Sequence, residues 1–314
     1  MKTLPLPQLP VFESFHQVHV LAAAQDWKQR GEGCAVSFRL SRPWDRFGFS
    51  LRHPVNPAAC FAEALGFLWA QNDPRVLAYY RVGQLSPMPA WWDNYEMCRM
   101  FDDALERLRR DASTTVAVIP ATSVSDDATG GRQPRLIALQ LLRRAEKVDC
   151  ACVVRVADIA DELPMDVFVC TLAHEFAARA VGFELGTYTH HVTSAFLGAG
   201  GVRRPLRHAD LNQPAMPTMP STTTWNTLHL VGDYEDALRR NAFSCTPGDL
   251  ADSDLAPYWR QVVLLFEVQR QVMHNPEAPI DANVLGALEP VYRNLLARCW
   301  PGRMPDSLGA MSRR

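Results

Sequence analysis

Residues 59–72, Ala-Cys-Phe-Ala-Glu-Ala-Leu-Gly-Phe-Leu-Trp-Ala-Gln-Asn, put apolar side chains on nearly every face of the helix they would form. A helix that is apolar all round is a buried one, so the chain around it must supply the layers that cover it. Glu63 is the exception within it. A carboxylate in an apolar helix is costly to bury unless it is bonded or functional. The plainer reading is a glutamate on the helix surface.

The flanking sequence mixes strands and helices without a regular βαβ rhythm, which points to an α/β (α+β) fold class, and 314 residues suffice for one large domain or two small ones. A proline-rich arm leads into a helical pattern at 18–30. Residues 34–51 alternate like a pair of strands. Residues 91–110 read as a loop and then an amphipathic helix, with Met100, Ala104, Leu105 and Leu108 on one side. Thr114–Ala121 is expected to be a short buried strand, and 126–134 a turn-rich loop. Strands follow at 136–142 and 149–156, around a turn at 144–147. A helix then runs over 167–182 and ends on Gly182, as a C-terminal cap would. Strand returns at 183–197. The Gly-, Pro-, Ser- and Thr-rich stretch 199–224 reads as a mobile loop, the last third from Asp233 as helices, and the tail 301–314 as disordered.

Composition excludes several function classes. The formal net charge of -2 gives no broad attraction to a nucleic acid polymer or an anionic membrane. No run of about 18 apolar residues suggests a span. The start, Met-Lys-Thr-Leu-Pro-Leu-Pro-Gln-Leu-Pro, places prolines where a signal peptide needs an apolar run. The eight cysteines are scattered. Free thiols in a reducing cytoplasm are the expectation. Cys150 and Cys152 should share one face of a strand as buried thiols, because a metal site would need partners that are not evident.

Four stretches, in order, carry a family resemblance. They are Asn56-Pro-Ala-Ala-Cys-Phe-Ala-Glu63-Ala-Leu-Gly-Phe-Leu-Trp69, Gln133-Pro134-Arg135 through Gln140, Arg155-Val-Ala-Asp158 through Leu163-Pro164-Met165-Asp166, and Phe183-Glu-Leu-Gly186-Thr-Tyr188. Their order and spacing resemble the thymidylate synthase and dCMP hydroxymethylase family over roughly residues 30–200. The resemblance implies a twisted mixed sheet backed by helices, a homodimer formed sheet to sheet, and a transferase using methylenetetrahydrofolate on a pyrimidine nucleotide, with no metal.

The family's chemistry needs a thiolate that adds to C6 of the pyrimidine and turns C5 into a carbon nucleophile. Here the matching position is Arg135, anchored by Pro134 and Gln140, and a guanidinium stays protonated and cannot attack carbon. By resemblance, Glu63 organises water and protons, with Asp158 beside it. Asp166 reads the base edge, where aspartate accompanies cytosine, and a helix-capping or first-turn role fits the same residue. Arg155 and Arg30 match phosphate ligands, and guanidinium suits phosphate through paired donors. Gln140 and Tyr188 complete the substrate set. The partner-donated arginines are replaced by Ser113-Thr114-Thr115, and the sugar-contacting His-x-Tyr by Phe196-Leu197-Gly198.

Other motifs carry less. Gly198-Ala-Gly-Gly201 lacks the Lys-Ser/Thr of a phosphate loop, and His174-Glu175 lacks a second helical histidine. His190 and His191 would point to opposite faces of a strand. Trp91-Trp92 could stack on a base or pterin, or simply anchor a loop. Two functions remain: a pyrimidine-modifying enzyme of specialised nucleoside metabolism with an altered mechanism, and a catalytically silent binding or partner subunit.

Overall fold

Alternation along residues 136–158 sets up the sheet. Leu139, Leu141, Val148, Cys150, Cys152 and Val154 are all buried, while the residues between them are less so. That period of two gives the sheet one packed face and one open face. The computed structural model describes residues 8–24, 33–49, 54–69, 74–80, 95–110, 115–120, 136–198 and 213–305.

The elements run β1 (Val11–Phe12), α1 (Phe15–Ala24), β2 (Cys34–Leu40), α2 (Pro57–Trp69), α3 (Pro74–Tyr80), α4 (Tyr95–Arg110), β3 (Val116–Pro120), β4 (Leu136–Arg144), β5 (Lys147–Asp158), α5 (Leu163–Val181) and β6 (Glu184–Phe196). Then come α6 (Trp225–Arg239), α7 (Pro247–Ala251), α8 (Pro257–His274), α9 (Ala282–Ala287) and α10 (Pro290–Cys299). The strands form one six-stranded open sheet in the order β1-β2-β6-β5-β4-β3. It is mixed: β5 and β6 are parallel, joined through α5, and β4 is antiparallel to both β3 and β5.

Helices α4 and α5 cover the packed face, and α2 lies between α5 and α8. Every residue of α2 from Pro57 to Leu68 is buried, which is why its sequence is apolar all round. Helix α5 ends where Gly182 takes a left-handed conformation (φ 77°) and its N–H bonds back to Arg179 O. Among the described elements no helix covers the opposite face. There Val116, Val118 and Ile137 remain 47%, 45% and 43% exposed.

Several expectations are corrected. Of the stretch 34–51, residues 34–49 are described, and they hold one strand, not two. After Leu40 the chain leaves the sheet, because Arg46 is buried in an ion pair with Glu175 of α5, and Phe47 packs against Phe168. Within the expected strand 114–121, the described β3 (Val116–Pro120) is buried on one face only, since it is an edge strand on a half-open sheet. Part of the segment expected to be mobile is fixed. The Met216 and Met219 N–H groups bond to Asp45 (3.2 Å) and Glu175 (2.8 Å), and both methionines are buried. The start of the tail is held too: the Arg303 guanidinium donates to Ala278 O (2.5 Å) and Asn275 O (2.8 Å). Residues 199–212 and 306–314 lie outside the described residues.

Candidate functional site

The register brings four chain ends together. Leu136, at the start of β4, lies opposite Val154 of β5, and Asp158, at the end of β5, lies opposite Phe196 at the end of β6. Helix α5 begins five residues after Asp158, so its N-terminus is at this same end of the sheet. The Phe61–Phe168 ring contact (centroids 5.1 Å apart) sets the level at which α2 meets α5. Glu63 and Asp166 each lie two residues from that contact, about 3 Å along their own helices. Both carboxyls are buried, at 1% and 0% exposure. Glu63 is therefore not a helix-surface glutamate.

Asp166 is a first-turn acid and not the cap: Glu162 is the N-cap residue, and the Asp166 N–H donates to Glu162 O (3.1 Å). A carboxylate there is favoured by the helix dipole, which offsets part of the cost of burial. Asp158 is the hub of the β5–α5 turn. Its Oδ1 accepts the Ala160 N–H and its Oδ2 the Gly198 N–H, both at 2.9 Å. A Cβ at position 198 would run into Asp158 Oδ2. Burial raises the Asp158 carboxyl pKa, against the lowering effect of these amides. Glu162, overlooked in the sequence, ties the turn from the other side: its Oε2 accepts the Asp158 N–H (2.9 Å).

The remaining site residues divide. Arg155 is exposed near the same end, on the open face of β5, and its carbonyl accepts the Thr193 hydroxyl. Gln140 lies on the open face in mid-strand, between Val118 and Ala151, about 13 Å along β4 from Leu136. Tyr188 is on the packed face with no exposed surface, and its hydroxyl meets His190 Nδ1 at 2.7 Å. The structure thus buries Glu63 in α2 and Asp166 in the first turn of α5, places Asp158 and Arg155 at the same end of the sheet as that turn, and leaves Gln140 and Tyr188 elsewhere. Arg30, Arg135, Trp91, Trp92, Ser113 and Thr114 lie outside the described residues.

The thiols of β5 are buried in the core. Cys150 and Cys152 face the helices at 1% and 0% exposure. Burial pushes the Cys150 thiol well above its usual range. Cys152 is 3.5 Å from Cys170, whose pKa is raised by that contact and by burial. Cys34 is exposed and opposite Ala195, at the same end as Asp158. Only strand pairing reveals this placement, and three strand spacings, about 14 Å, separate β2 from β4. The two histidines do face opposite ways: His190 stacks on Phe38 (5.3 Å) in the core, and His191 Nδ1 meets Ser37 Oγ (2.8 Å) on the open face. Among the described residues no group of three or more His, Cys, Asp or Glu could hold a metal, and no helix is long and apolar enough to cross a membrane. No family model matches the chain, and no curated protein matches it.

Proposed function

We propose that this chain is a divergent thymidylate synthase-like protein that binds a pyrimidine nucleoside or nucleotide at the sheet end beside Asp158 and modifies it. The observation that carries this reading is the full burial of two carboxyls, Glu63 in the apolar helix α2 and Asp166 in the first turn of α5. Two acids kept buried in a helix layer suit proton handling and recognition of a base edge. A carboxyl at Asp166 can accept from the amino group of cytosine, which favours cytosine over uracil. Arg155, exposed at the same end of the sheet, carries a guanidinium of the kind that suits an anionic substituent.

A second reading, a silent binding or partner subunit, is favoured by the thiols. Among the described residues none stands beside the first residues of β4, where the family's nucleophile would be. One-carbon transfer to C5 from methylenetetrahydrofolate would need another nucleophile. The open sheet face, with Val116, Val118 and Ile137 exposed, supports a homodimer formed through it.

Release of tritium from C5 separates the readings. The enzyme reading expects exchange from [5-³H]-labelled CMP or dCMP, with methylenetetrahydrofolate. Binding without exchange supports the silent reading, and no exchange together with no calorimetric binding of CMP, dCMP, UMP or dUMP contradicts both.

A further inference from the structure

Helix α5 has a second end, and a cavity of about 710 Å³ opens there. Arg179, on its wall, is thirteen residues beyond Asp166, about 20 Å along the helix, so this cavity is separate from the sheet end beside Asp158. Its volume is within the usual range for a small-molecule site, roughly 300–1,000 Å³.

Among the charges of the walls Glu106 and Arg109 pair with each other, whereas the acids Asp102 and Asp103 do not meet Arg179. On α4, Asp102 and Asp103 sit side by side and make no ion pair among the described residues, whereas the neighbouring Glu106 is held by Arg109 (2.6 Å) and Arg110. Burial, and then the Asp103 charge, raises the Asp102 pKa. Facing them, the Arg179 side chain is 20% exposed. Its Nε is buried with no hydrogen bond, and its ion pair with Glu175 is long, at 3.9 Å. Glu175 is already occupied by Arg46 and the Met219 N–H. The guanidinium therefore has donor capacity to spare.

Two indoles complete the cavity. Trp69 packs on Gly232 of α6, where a Cβ would come within 3.0 Å of the ring. Trp225 is held by an edge contact with Phe176 at 4.6 Å. Aromatic faces beside a separated acid pair and a guanidinium form a three-part recognition surface.

We infer that this cavity binds a zwitterionic aromatic amino acid, with its ammonium at Asp102 and Asp103, its carboxylate at Arg179, and its ring against Trp69 and Trp225. A simple organic cation would leave Arg179 unused, and a simple anion would meet the acid pair. Both charges of one small molecule are needed to satisfy both walls.

The test is calorimetric titration of the full chain with L-phenylalanine and L-tryptophan, and with phenethylamine and 3-phenylpropionate, which each lack one charge. Saturable binding of at least one amino acid is expected, with each single-charge analogue about tenfold weaker or more. The double variant Asp102→Asn/Asp103→Asn changes an exposed helix face and should fold. It should weaken binding of the amino acid and of phenethylamine while leaving 3-phenylpropionate unchanged. Arg179→Gln, checked by its melting curve, should do the reverse. No binding of either amino acid at millimolar concentration, phenethylamine binding as tightly as phenylalanine, or binding unchanged in the acid-pair variant overturns the inference. Because pyrimidine binding is read at the other end of α5, neither result depends on the other.

Discussion

Inside α5, the His174 ring nitrogen Nε2 meets Val148 O at 2.6 Å, while Nδ1 is buried with no hydrogen bond. That geometry fits a neutral ring with its proton on Nε2, and burial lowers the pKa from 6.5 to about 4. His19 is lowered to about 4 as well, by burial and then by His16. The sign follows directly. As pH falls below about 6.5 the unfolded chain takes up these protons and the folded chain does not. The stability tied to each ring is complete above pH 6.5 and lost by about pH 4, at most about 3 kcal/mol per histidine. His174→Gln retains a donor for Val148 O and removes the titration. Its urea midpoint should fall less steeply between pH 6.5 and 4 than the parent's, and an unchanged slope would count against a neutral buried His174. At this scale the sequence was partly legible. Glu63 stood out because one acid interrupted an apolar helix. Arg46 did not, because its partner Glu175 is 129 residues away, and local alternation carries no trace of such a contact.

Among the elements, the β5–α5 turn shapes the candidate site, and Asp158 holds it. Asp158→Ala would leave the Ala160 and Gly198 amides without their acceptor and should cost about 2 kcal/mol in chemical denaturation. Asp158→Asn retains acceptor capacity in its amide oxygen and should cost less. If both variants melt like the parent, the turn does not depend on this carboxyl. The strands flanking the turn, and α5 with its glycine stop at 182, were readable from period-two alternation and cap chemistry. Helix α4 was readable from its apolar stripe. Among the described residues 41–49 there is no second strand. Phe47 and Phe49 alternate as strand residues do, yet they pack on helices from an irregular segment. Tyr188 shows the same limit for the site: its position in a motif was legible, but not that its hydroxyl is engaged by His190 in the core.

For the whole molecule, the half-open sheet is the strongest sign of assembly. A face bearing Val116, Val118 and Ile137 beside Gln140 and His191 fits a second copy of itself. Light scattering after size exclusion should give twice the 35.2 kDa chain mass, and Val118→Glu should return it to a monomer with little change in helix content. A monomeric parent would remove the dimer from the account. The mixture of strands and helices follows from the sequence pattern, whereas the mixed sheet backed by helices was an expectation of the family resemblance; Arg135 and Arg30 lie outside the described residues.

Calorimetric titration with CMP, dCMP, UMP and dUMP, on the parent and on Asp166→Asn with its fold verified by circular dichroism, tests the central claim most directly. The account predicts that the parent binds a cytosine nucleotide more tightly than its uracil counterpart, and that Asp166→Asn reverses the preference. Absence of binding to all four, or a base preference that Asp166→Asn leaves unchanged, would contradict it.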